Sequence, residues 1–322
     1  MSKSLKSQNI LGVFRKTAII WVLVLLCIIM AIIEPNFISP GNLVLIIKQI
    51  AITGILGVGM TMIIITGGID LSVGAVIALS SVCAAMFGGL ETQGLPVIVP
   101  IIVGLLVGSL IGSANGALVA GFNFPPFIVT LATMMIARGF AKVISNGKPV
   151  FGLSDSFKDL ANGFVFNVPN LVYFITIIML FGYFVLNKTV FGSRIYAVGG
   201  NEAATRLSGI NTKKIKFFVY VISGALAGLC GVLMASRITS GSSTVAEGYE
   251  LNAIAAVVIG GTSMSGGSGT LWGTLIGALI IGVIQNGLDL MGVSPFYQQI
   301  IQGLIIIAAV LLDIKSKKKS VA

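Results

Sequence analysis

The chain has 322 residues, 56% of them hydrophobic and only 9% charged, with a formal net charge of +10 and a mean hydropathy of +1.05. A soluble domain carries about 25% charged residues, so this composition excludes one and points to a bilayer as the solvent. The basic residues stand at the edges of apolar segments instead of forming one patch, which argues against nucleic acid as a partner, and there is no histidine to serve near neutral pH.

A transmembrane helix needs about 20 mostly apolar residues. Ten apolar segments lie near residues 17–33, 42–66, 71–90, 95–120, 126–145, 169–187, 215–236, 250–264, 270–288 and 296–313. The expected fold is therefore all-α: a polytopic membrane helical bundle of about ten transmembrane segments, some of them broken or re-entrant. A cytoplasmic N-terminal segment is expected over 1–16, a single transmembrane domain over 17–314, and a basic cytoplasmic tail over 315–322. Lys3, Lys6, Arg15 and Lys16 precede the first segment as in a signal peptide. Its apolar run is longer than a signal core and ends in Glu34-Pro35-Asn36 with no small-x-small cleavage site, so a retained helix is expected.

Only Gly67-Gly68-Ile69-Asp70 separates the second and third segments. The eighth, 250–264, is short for a full span. Non-helical backbone at membrane depth is tolerated only where protein or a water-filled cavity covers it, so a solute path is expected at these breaks. Asp70 stands at an expected inner turn, either capping the next helix near Val73 or acting directly in transport. Lys48, Arg138 and Lys142 lie toward the outer ends of their segments and are expected to snorkel to the interface. Cys27, Cys83 and Cys230 fall in separate apolar stretches without metal-ligand spacing, so they read as packing residues and no metal or cofactor is expected. The 41 glycines imply close helix packing.

The loop 188–216 carries the run GGNEAATRLSGI, Gly199 to Ile210. The double glycine should break structure, Asn201 should cap a short helix over Glu202 to Ser208, and Gly209 should stop it. Flanked by Arg194, Arg206, Lys213 and Lys214, that helix is either a docking surface or a surface helix on anionic lipid. Ten spans with both termini inside place fourteen of the 20 lysines and arginines on the cytoplasmic side, as the positive-inside rule requires. Glu247 and Glu250 then fall among the outer residues. Residues 63–74, IIITGGIDLSVG, have a weak echo 193 residues later in AVVIGGTSMSGG, 256–267. Transporters built from repeats place substrate where such interrupted helices meet. There is no G-x-x-x-x-G-K-[ST] phosphate loop and no nucleophile elbow, so intrinsic catalysis is not expected.

Four runs together, GMTMIIITGGIDLSVG (59–74), PPFIVTLATMMIARG (125–139), GGNEAATRLSGI (199–210) and GYELNAIAAVVIGGTSMSGG (248–267), closely resemble the permease subunits of bacterial ABC importers for ribose and related monosaccharides. The likeness runs from about residue 35 to 313. It implies a non-catalytic, multi-pass subunit of the bacterial inner membrane that moves a monosaccharide into the cytoplasm. The implied partners are a cytoplasmic ATPase, an extracytoplasmic sugar-binding protein and a second permease copy, most simply as a homodimer. The alternative is an ion-coupled secondary sugar transporter. The resemblance also makes the 199–210 loop a coupling helix, since Glu202-Ala203-Ala204 followed by Gly209 is similar to the EAA motif on which importers dock their ATPase. Here four residues instead of three separate Ala204 from Gly209, and the usual downstream isoleucine and proline are missing. The implied coupling set is Gly199, Gly200, Asn201, Glu202, Ala203, Ala204, Arg206, Ser208 and Gly209. Around the two breaks, Thr66, Gly67, Gly68, Asp70, Ser72, Asn115, Gly260, Gly261, Thr262 and Asn286 form the expected translocation path, the glycines as hinges. The hydroxyl and amide groups are open either to sugar or to their own helix backbone.

Overall fold

The computed structural model describes residues 19–89 and 95–321, and within the last helix the side chains of 309 and 312–321 are outside the description. The expected segment 1–16, Glu91 and the side chains of the basic tail lie outside the described residues. Ten apolar helices coincide with the ten segments expected from hydropathy. They are α1 (Ile19–Ile33), α2 (Pro40–Ile65), α3 (Val73–Phe87), α4 (Ile98–Gly116, continued by a π turn over Ala117–Gly121) and α5 (Pro126–Ile144). After a short α6 (Asp155–Asn162) and a hairpin of β1 (Phe164–Val165) and β2 (Val168–Pro169) comes α7 (Asn170–Lys188). Two helices of the long loop follow, α8 (Val190–Gly200) and α9 (Glu202–Leu207). The last four are α10 (Thr212–Arg237), α11 (Tyr249–Ile259), α12 (Leu271–Leu290) and α13 (Pro295–Val321). Among the described residues, six of these helices are long and apolar enough to cross a membrane, while α1, α3, α11 and the apolar part of α13 are shorter.

Helix α2 is the hub. Every residue from Ile50 to Ile65 is buried, as befits a helix that is apolar all round, and α7, α10, α11 and α12 pack around it. Helix α10 is its most extensive neighbour on the other side of the bundle and pairs with α4 along a seam of glycines. Gly104, Gly108, Gly112 and Gly116 recur every fourth residue on α4 and face Gly228, Gly224, Tyr220 and Phe217 of α10. A Cβ on Gly108 would overlap the Gly224 carbonyl, and one on Gly224 the Gly108 carbonyl. With lipid tails as apolar as leucine, this backbone-to-backbone approach is what holds the pair together.

Helix α6 and the β1–β2 hairpin close the end of the bundle opposite α8 and α9. Sequence reading treated this stretch as a plain loop, because its elements are too short to leave a periodic signal. Phe157 of α6 is fully buried, and Lys48 of α2 reaches this end, its ammonium 5.3 Å from the Phe164 ring centroid.

Candidate functional site

The α8–α9 module forms as its residues dictate, with one shift. Gly199 and Gly200 do not break structure but finish α8, and the chain turns extended at Asn201 (φ −159°, ψ 98°). Both glycines retain helical hydrogen bonding because Asn201, one residue later, is the better cap: its Oδ1 accepts from the Ala204 N–H at 2.9 Å. Gly209 then ends α9 in the left-handed region, φ +80°. Thr205 is the buried anchor, its hydroxyl donating within reach of the Ala197 and Asn201 carbonyls, both at 2.8 Å. Glu202 ties α9 to α10 through Lys216 at 2.5 Å and pairs with Arg206 at 3.5 Å. Ala203, Ala204, Arg206 and Ser208 are exposed. So is Leu207, at 90%, a large apolar side chain presented on a polar loop.

The module is wired to both breaks. The first break follows α2, with Gly67 at φ +79°. The second follows α11, with Gly261, Gly266 and Gly267 all at positive φ. The N–H of Gly267 donates to the Ile65 carbonyl, the last of α2, at 2.9 Å, so the two breaks are hydrogen-bonded to one another. Gly199 packs at that same bond, where a Cβ would overlap the Ile65 carbonyl and crowd the Gly267 nitrogen. Tyr196 of α8 donates its hydroxyl to the Gly269 carbonyl at 2.9 Å. Helix α8 thus touches both interruptions, by a close backbone approach at Gly199 and by the Tyr196 side chain.

The expected path residues divide into groups. Asp70 Oδ1 accepts from the Ser72 N–H at 2.8 Å and the Ser72 hydroxyl at 2.6 Å, and Asn115 Nδ2 donates to that hydroxyl at 2.9 Å. The carboxylate therefore closes a turn onto Ser72, one residue short of the cap expected at Val73. Asn115 Oδ1 and the Tyr220 hydroxyl are buried there without a hydrogen-bond partner among the described residues, and Tyr220 abuts Gly68. Thr66 bonds its own helix, at the Ile63 carbonyl, 2.8 Å. Gly260 lies against Gly273 of α12, and Thr262 against Gly269, in the second break. Asn286 is elsewhere, paired reciprocally with Asn42 of α2 at 2.7 and 2.9 Å toward the far end of α12.

Three features leave no signal in the sequence, Leu207, Tyr196 and the stretch between α10 and α11, and a fourth, Arg138, departs from its expected role. Exposure of a leucine and the partner of a tyrosine are tertiary facts with no local signature. Arg138 does not snorkel. Its Nη1 donates to the carbonyls of Ser243 at 2.9 Å and Val245 at 2.8 Å, and Glu247 and Glu250 are the acids near it.

Residues 42–310 match the family described as branched-chain amino acid transport system / permease component. The chain is similar to the ribose import permease protein RbsC of Bacillus subtilis strain 168, 46% identical over 96% of this chain and 95% of that one. It is 44% identical to the protein of the same name from Escherichia coli K12, over 94% of each. Similarity to the L-arabinose ABC transporter permease protein AraH of Azospirillum brasilense is 36% over 93% of this chain and 87% of that one. No solved structure matches the chain.

Proposed function

We propose that this chain, which belongs to the branched-chain amino acid transport system permease component family, is the membrane-spanning subunit of an ATP-driven importer of ribose or a related monosaccharide. Near-full-length likeness to ribose import permeases supports a sugar over the amino acid of the family's name. The chain sits in the bacterial inner membrane with α8, α9 and both termini cytoplasmic. It pairs with a second copy, docks an ATPase on 199–209, and receives sugar from an extracytoplasmic binding protein. The transport domain covers 17–314.

The observation that carries this reading is the α8–α9 module: an exposed Ala203-Ala204-Leu207 tip on one side, and on the other Gly199 and Tyr196 seated against both membrane breaks. A subunit without a nucleotide loop needs such a lever, because energy delivered at the tip must change the packing at the breaks. Closure of the ATPase dimer moves α9, Gly199 carries the displacement to Ile65 and Gly267, and the path around Asp70, Ser72 and Asn115 alternates its access. The test is ribose uptake by the reconstituted importer in sealed vesicles. Uptake should require ATP, survive a protonophore, and fall at least tenfold in Glu202→Lys and Gly209→Pro. Variants that keep full ATP-dependent uptake and still co-purify with the ATPase would refute the coupling assignment. Collapse of uptake by the protonophore would favour an ion-coupled carrier, with the buried Asp70 as its ion site.

A further inference from the structure

The stretch Thr239–Gly248 does not leave the bundle as a surface loop. Gly241 exchanges both backbone hydrogen bonds with Val150, at 2.8 and 2.9 Å. The Ser81 hydroxyl of α3 donates to the Ser242 carbonyl at 3.2 Å, and the Ala246 carbonyl lies against Gly74, in the first turn of α3. From Ser81 to Gly74 the chain therefore descends along α3 by about 10 Å, at 1.5 Å per residue. Ser80 and Ser81 pack on Gly231 of α10, so Gly74 lies about level with Gly224, the middle of that 26-residue helix. Thr239, Ala246 and Gly248 are left-handed, with φ of +57°, +60° and +84°, which turns the chain inward and then starts α11 at mid-depth. This is why α11 is short, and it moves Glu247 and Glu250 from the expected outer loop to the middle of the bundle.

Arg138 of α5 holds the stretch by its two carbonyl bonds, and the Glu250 carboxylate is wedged against the Cα of Gly74. What remains presented outward is polar: Thr244 and Glu247 are exposed and Ser242 half-buried. An exposed carboxylate at this depth cannot face acyl chains, and irregular backbone there is stable only beside protein or water. The face it occupies is therefore turned away from lipid, and its hydroxyl and carboxylate groups suit water or a polar solute.

We propose that Thr239–Glu250 is the sugar-contacting wall of the translocation path. The Thr244 hydroxyl and the Glu247 carboxylate hydrogen-bond the hydroxyls of an uncharged monosaccharide, and Arg138 is the positioning residue that fixes the wall. The inference rests on the sugar-importer reading and names the surface that reading left open. A carboxylate accepts from two neighbouring sugar hydroxyls at once, and a threonine hydroxyl both donates and accepts. The cargo thereby exchanges its water partners for protein ones without being held tightly, as transit requires.

The test starts from the full importer with Cys27, Cys83 and Cys230 replaced by alanine, in proteoliposomes. Thr244→Cys and Glu247→Cys are each exposed to a charged, membrane-impermeant methanethiosulfonate reagent. Both should react, and ribose with its binding protein and ATP should slow the reaction at least threefold. Arg138→Met should abolish that protection, and Arg138→Lys should restore part of it. Glu247→Gln and Thr244→Val should lower ribose uptake about tenfold, against no loss in Leu251→Ala, an exposed neighbour. Cysteines that stay unlabelled overturn the wet wall; labelled cysteines with unchanged uptake in Glu247→Gln and Thr244→Val overturn the sugar contact. Wild-type vesicles that import no sugar would instead refute the importer reading, while the labelling, which needs no cargo, would still decide the wall.

Discussion

At Glu202, one carboxylate joins α9 to α10 through Lys216. Burial pushes its pKa up, but the Lys216 ammonium, the Thr212 hydroxyl and the Arg206 guanidinium outweigh burial and hold it below the ordinary value of 4.5. A depressed carboxylate contributes stability above its unfolded value and loses it as pH falls through the folded one. The pair is therefore intact at neutral pH and fades only below about pH 4.5. Because the pair is partly exposed, its worth is about 1 kcal/mol or less. Glu202→Gln should lower the melting temperature slightly at pH 7, and the gap from wild type should close as the pH falls below about 4.5, which melts in detergent over that acid range would measure. Asn201, Glu202 and Gly209 were legible as cap, first helical residue and stop, because those roles are local. Lys216 as the partner of Glu202 was not, since its neighbourhood depends on how α9 folds back on α10.

Individual helices were the most legible part of the chain, for hydropathy and glycine spacing are both one-dimensional signals. Most of the segment ends were placed to within a few residues, while α11 stops five residues early at Ile259 and α13 runs eight residues on to Val321, and the glycines' reading as close-packing residues holds at the α4–α10 seam. What hydropathy could not give was why α3 and α11 are short. Each begins at mid-depth after an extended stretch, and the polar residues of 239–250 look like any outer loop until α3 is seen beside them. The seam yields a sharp contrast between two glycines. Gly108 has backbone on its open side, the Gly224 carbonyl and Gly228 Cα, neither of which can rotate away. Gly139 of α5 has nothing within 4 Å of its would-be Cβ. Gly108→Ala should cost about 1–3 kcal/mol by forcing the helices apart, seen as a melting temperature several degrees lower. Gly139→Ala should melt with wild type.

Over the whole molecule, the informative fact is that two interruptions separated by 193 residues in sequence meet at one hydrogen bond, Gly267 N–H to Ile65 O. The echo between 63–74 and 256–267 marked both places, but nothing in either run announced that they touch, or that Gly199 and Tyr196 arrive at the same point. In the proposed coupling role, displacement of α9 has to become a change of packing at membrane depth, and close-packed interiors transmit such a shift instead of absorbing it. The Tyr196 hydroxyl, bonded to the Gly269 carbonyl at 2.9 Å, makes a side-chain hydrogen bond from α8 to the second break. Its removal in Tyr196→Phe leaves the ring and the α9 tip in place. The ATPase should therefore still dock and turn over, while the displacement reaching the second break is loosened, so ribose imported per ATP hydrolysed should fall several-fold. Tyr173 supplies the matched control. Its hydroxyl donates to the Val165 carbonyl at 3.0 Å, the same chemistry at the opposite end of the bundle, and Tyr173→Phe should leave the ratio unchanged. Equal ratios in both variants would mean that the stroke reaches the breaks through Gly199 alone.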